Sequence, residues 1–125
     1  MNGVGMRAEA ITEARGGFWP WLLQRITAVL LVLLLGVHLV VNHLMNVGDL
    51  TFESIGRRLA GGFLTGVDIL LLAAALFHGL NGLRMVLLDY GFSGEWRRVL
   101  DAVLWVVGVA ALVFGLWGLW PWIKQ

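Results

Sequence analysis

Three long apolar runs dominate the chain. The first extends from Ile26 to Leu44, the second from about Gly66 to Leu88 with interruptions at Asp68, His78, Asn81 and Arg84, and the third from Ala102 to Ile123. Each holds about 19 to 23 residues, which at ~1.5 Å per residue crosses the ~30 Å hydrocarbon core of a bilayer. None alternates with period two, which argues against the strands of a β-barrel. The pattern predicts an all-α membrane protein with three transmembrane helices, at about residues 21–45, 65–88 and 98–121, in one domain over 19–125. The first 18 residues, with Arg7, Glu9, Glu13 and Arg15, read as a polar arm. The apolar run begins too late and is too long for a cleaved signal peptide. The glycine-bearing stretch Asn46 to Gly62 links the first two helices, and Thr51 to Leu59 within it predicts a short amphipathic helix at the interface. Asp89 to Arg98 joins the second helix to the third.

Composition strengthens the membrane reading. Of 125 residues, 59% are hydrophobic and 14% charged, against roughly 45–50% and 25% in soluble domains. A soluble protein this small has too little interior to hide that apolar area. The net charge of +1 argues against a polybasic nucleic-acid binder. With no Cys, the chain offers no disulfide, no thiolate metal site and no ligation of an iron–sulfur cluster.

Charge also predicts orientation. Arg7, Arg15, Arg25, Arg84, Arg97 and Arg98 fall on one side of the membrane and Arg57, Arg58 and Lys124 on the other. The positive-inside rule then places the N-terminus in the cytoplasm and the protein in the inner (cytoplasmic) membrane as a multi-pass chain. Trp19, Trp21 and Trp96 belong to the inner interface and Trp117, Trp120 and Trp122 to the outer one, where such rings act as anchors.

Polar groups within the membrane are costly and need a reason. Arg25, Thr27, His38, Asn42 and His43 lie on the first helix and Asp68, His78, Asn81, Arg84 and Asp89 on the second, whereas the third carries little beyond Asp101 near its start. The first two helices are therefore expected to face a functional interior, with the third peripheral. His78, Gly82, Met85 and Asp89 fall at i, i+4, i+7 and i+11, on one helix face. Ala74 and Ala75, one turn before His78, leave room for a flat, bulky group. A neutral imidazole in hydrocarbon suits axial ligation of haem iron; a hydrogen bond to a neighbouring helix would also explain it. Three His at membrane depth on two helices favour ligation. His38 shares a face with Thr27 and Asn42, and on a regular α-helix His43 lies about 140° further round, so one flat ligand cannot use both equally. Arg25 and Arg84 either snorkel to the inner interface or pair with haem propionates. Asp89 and Tyr90 end the second helix there, either as interface residues or as hydrogen-bonding partners of a quinone carbonyl.

Two stretches carry a family resemblance. His78-Gly79-Leu80-Asn81-Gly82-Leu83-Arg84-Met85-Val86-Leu87-Leu88-Asp89-Tyr90 resembles the second-helix signature of the small hydrophobic membrane-anchor subunit of succinate dehydrogenase, the succinate:quinone oxidoreductase of the respiratory chain and tricarboxylic acid cycle. Leu23-Gln24-Arg25-Ile26-Thr27-Ala28-Val29 is similar to the start of its first helix. The resemblance covers roughly residues 21 to 92. It implies half of a helical bundle, completed by a second membrane-anchor subunit and docked to an iron–sulfur subunit that carries a flavoprotein subunit. His78 would be one of two axial ligands of a b-type haem, with the other from the partner anchor. Gly82 would belong to the haem-binding face, Arg25 would lie near the propionates or the quinone, and Asp89 and Tyr90 at the quinone site. Val37-His38-Leu39-Val40-Val41-Asn42 resembles a first-helix segment of two-haem anchors, which implies His38 as ligand of a distal haem, with His43 in reserve.

The expected function is that of a membrane anchor passing electrons from the iron–sulfur subunit to ubiquinone or menaquinone, by way of one or two b-type haems shared with the partner anchor. The chain would be a non-catalytic part of an oxidoreductase. A haem-free, quinone-binding anchor is the first alternative. A small transporter subunit is the weaker one, because the central thirds of the helices lack acidic residues and no Pro interrupts them.

Overall fold

A computed structural model describes residues 3–6, 16–44, 51–59, 61–91 and 94–123. The expectations placed on Arg7, Arg15, Asn46 and Lys124 lie outside the described residues. Among the described residues four helices of more than one turn follow in order: α1 (Phe18–Leu39), α2 (Phe52–Leu59), α3 (Phe63–Asp89) and α4 (Glu95–Ile123), and a π-helical turn, Val40–Leu44, continues α1. With that turn α1 spans 27 residues, as α3 does. Among the described residues there is no strand. Three helices are long and apolar enough to cross a membrane, as the run pattern requires. In hydrocarbon a backbone must bond to itself, and the long helix is how an open chain does so. Pro20 sits in the first turn of α1, where its missing N–H has no partner to lose.

The short amphipathic helix expected between the first two spans is α2. Thr51 caps it: its Oγ1 accepts from the Ser54 backbone N–H at 3.3 Å, while the Ser54 hydroxyl donates to the Thr51 carbonyl at 2.9 Å. Ser54 and Gly56 are buried, and α2 packs on both α3 and α4.

α3 is the central element. It packs against α1 on one side and α4 on the other, while α1 and α4 barely meet. Both neighbours run antiparallel to it. On α1, the lower-numbered Gln24 meets His78 and the higher-numbered His38 meets Asp68. On α4, Asp101 meets Arg84, and Gly108 and Gly115 come against Leu80 and Leu72. Asp101, Gly108 and Gly115 repeat every seven residues, so they form one seam down α4. At Gly115 a Cβ would collide with the Leu72 side chain, so the missing side chain sets the distance between these helices.

The result is a row of helices with almost no private core. Of the described residues only Val67 and Ala74 are buried apolar groups. The chain exposes 9123 Å², against roughly 6,600 Å² for a soluble globule of its mass. Leu, Val and Trp side chains cover this surface, which suits lipid and protein neighbours and not water.

Candidate functional site

The polar residues of α1 and α3 meet at two levels of their shared seam. The lower level centres on His78. Its Nδ1 lies 3.3 Å from the Gln24 carbonyl and 3.3 Å from Thr27 Oγ1. The Thr27 hydroxyl is 2.7 Å from the Leu23 carbonyl and donates there, so its oxygen is left as an acceptor. Both neighbours of Nδ1 therefore accept, and Nδ1 must carry the hydrogen. That fixes the tautomer and leaves the Nε2 lone pair free. Gln24 binds the same turn through its amide: Nε2 donates to the His78 carbonyl at 3.0 Å, and Oε1 accepts from Asn81 Nδ2 at 2.8 Å.

His78 opens on a groove of about 600 Å³ with Trp21, Arg25, Ala28, Val29 and Met85 in its lining. Ala28 and Val29 present little bulk, and the Arg25 guanidinium stands 4.8 Å above the Trp21 ring, a cation–π contact. Such a groove brings together apolar side chains, the His78 ring and the Arg25 cation.

The upper level centres on His38. Its Nδ1 lies 2.8 Å from Asp68 Oδ1 and 3.2 Å from Asn42 Nδ2. The single Nδ1 hydrogen goes to the carboxylate, the nearer and charged acceptor. The Asn42 amide, whose N and O exchange by a flip, packs beside the pair. Again Nε2 is left free. Neither Nε2 meets a hydrogen-bond partner among the described residues. Asp68 and His78 are ten residues apart on α3, or ~15 Å of rise, so one planar group cannot serve both imidazoles.

His43 stands closer to His38 than a regular helix allows. In the π turn Val40–Leu44 hydrogen bonds reach five residues back instead of four. The widened turn swings His43 back toward its starting face, and the two ring centroids lie 6.3 Å apart at 60°. The angle of about 140° expected from α-helical geometry is corrected by this turn.

Other singled-out residues take different places. Arg84 does not reach the His78 groove. It forms a bidentate pair with Asp101, Nε to Oδ1 at 2.6 Å and Nη2 to Oδ2 at 3.1 Å. That pair lies at the edge of a second cavity of about 570 Å³ between α1 and α4, lined also by Trp19, Phe77 and Trp105. Thus α4 supplies the partner of an intramembrane arginine and is less peripheral than its composition implied. Gly82 faces α1: a Cβ there would lie 3.0 Å from Gln24 Nε2. Its absence admits the amide that holds His78. Asp89 and Tyr90 are exposed at the end of α3, Tyr90 by 82%, and line neither cavity. No cluster of three or more His, Asp or Glu side chains suited to a metal ion occurs among the described residues. Gln24, Asp68 and Asp101 are the site residues that sequence reasoning passed over as ligand partners. An unpaired acid within an apolar run was the available signal for Asp68.

Comparison with known proteins matches these features to one family. Residues 7–122 match the succinate dehydrogenase/fumarate reductase transmembrane subunit family. The chain is 32% identical over 97 residues to a succinate dehydrogenase hydrophobic membrane anchor subunit of Archaeoglobus fulgidus, covering 78% of this chain and 83% of that one. It is 30% identical over 97 residues to a membrane subunit of succinate dehydrogenase 2 of Mycobacterium tuberculosis, covering 78% and 70%. A membrane anchor subunit of Thermoplasma acidophilum is 27% identical over 93 residues, covering 74% and 76%. No solved structure matches significantly. With three spanning helices and this likeness over most of its length, the chain belongs to the transmembrane subunits of the succinate dehydrogenase/fumarate reductase family.

Proposed function

We propose that this membrane anchor holds b-type haem through His78 and His38 and carries part of the quinone site at Asp89 and Tyr90, linking the iron–sulfur subunit to the quinone pool. One observation carries the reading: each imidazole has its Nδ1 hydrogen committed to an oxygen on the α1–α3 seam, which turns Nε2 into a preset donor. Haem, when bound, supplies reversible one-electron storage within the hydrocarbon layer. His78 would hold it from one side, with Ala28 and Val29 giving it room and Arg25 placed to meet a carboxylate. A second ligand would have to come from the partner anchor, since the described residues place no other imidazole at this level. At the end of α3 the Tyr90 phenol is free to donate to a quinone carbonyl, and Asp89 beside it can relay protons from the aqueous side. The N-terminus is cytoplasmic in this arrangement, so Tyr90 faces the docked iron–sulfur subunit.

The test is the haem content of the purified complex. His78→Ala should remove one b-haem component from the pyridine haemochrome and from the redox titration, with the subunits still assembled. Unchanged haem content and spectrum would overturn the assignment. A second reading, a haem-free quinone-binding anchor, draws on the same bonds: His38 to Asp68 and His78 to Gln24 also fasten α1 to α3. Under that reading the wild-type complex contains no haem.

A further inference from the structure

The two imidazoles are held by different chemistry. His78 Nδ1 faces neutral oxygens, a carbonyl and a hydroxyl, each at 3.3 Å. His38 Nδ1 faces a carboxylate at 2.8 Å. Asp68 lies in the second turn of a membrane-spanning helix, and its side chain is only 20% exposed. A carboxylate so placed on an apolar helix is costly and needs a compensating partner. His38 is the partner shown for it among the described residues.

We propose that Asp68 is a positioning residue for His38, which fixes the tautomer and plane of the ring and strengthens electron donation from Nε2. The proposal rests on the reading of His38 as a haem ligand. A charge-assisted bond is shorter and stronger than a neutral one. It pulls the Nδ1 hydrogen toward Asp68 and leaves more electron density on Nε2, as carboxylate–histidine pairs do at metal sites. A stronger donor stabilises the oxidised iron more than the reduced one. Asp68 therefore lowers the midpoint potential of the haem that His38 holds and leaves the His78 haem untouched, because ~15 Å of helix separates the two levels.

The experiment is potentiometry of the b-haems in native membranes containing the whole complex, followed optically. His38→Ala first identifies the component that depends on His38 by deleting it. Asp68→Asn keeps the shape and an accepting oxygen but removes the charge. The expected result is unchanged haem content, with the His38-dependent component shifted to higher potential by on the order of tenfold in its reduction equilibrium, about 59 mV for one electron. The other component should stay in place. Asp68→Glu retains the charge one methylene further out; it should move the same component less than Asn does and provides the reading if the Asn variant fails to assemble. The proposal fails if the His38-dependent component stands still in both variants or if both components move together. If His38→Ala deletes no component, the ligand reading fails first; if it deletes one that then ignores Asp68, only the role of Asp68 fails.

Discussion

At the scale of the residue, Gln24 shows best how this site is made. Its side-chain amide and its carbonyl together meet the His78 carbonyl, the His78 ring and Asn81. Replacing it by Leu would leave the Asn81 amide one acceptor short and the His78 carbonyl without its amide donor, while the backbone carbonyl that faces the ring stays. Gln24→Leu is expected to destabilise the α1–α3 pair by about 1–3 kcal/mol. A lower thermal midpoint of the purified complex, with earlier loss of any His78-dependent haem signal, would show it. In sequence Gln24 carries no signal of this role, because its partners lie 54 and 57 positions away. His78 was legible because a polar ring in an apolar run needs an explanation at once. Arg84 shows the opposite case: snorkelling and propionate pairing both suited its position, yet Asp101 on another helix takes it.

Helices are the best-read level. Long apolar runs translate directly into spanning helices, since lipid leaves the backbone no other open-chain solution; the first and third helices begin about two turns before their runs, at Phe18 and Glu95. The π turn at Val40–Leu44 was not legible: nothing in the order Val, Val, Asn, His, Leu distinguishes it from an α turn. It matters, because it carries His43 toward His38. The α3–α4 seam is also set at this level. Gly115→Val would place branched carbons where the Leu72 side chain already lies. Overpacking of this kind costs about 1–3 kcal/mol. The expected outcome is a less heat-stable complex with any haem spectrum retained at low temperature, since the strain falls on the side of α3 away from His78.

At the scale of the whole molecule, the chain is a row of three spanning helices with its two cavities on different faces of the row. One cavity presents His78 and Arg25, and the other the Arg84–Asp101 pair. Membership of the family implies further subunits of the complex, and little of the chain's apolar surface is buried within it. By mass action a partner that binds only the folded form raises its stability with concentration. Expressed without the other subunits, the chain should be cleared from the membrane several-fold faster than when co-expressed, as pulse–chase labelling would measure. An equal lifetime in the two cases would contradict this dependence.

Because α1 and α4 do not close around α3, each helix keeps a free flank throughout synthesis. An orphan copy leaves the groove beside His78 and Arg25, and the cavity edged by Arg84 and Asp101, open to the bilayer. The same groups that equip the anchor for work in its assembly thus identify it, when alone, as unfinished to the cell's membrane quality control.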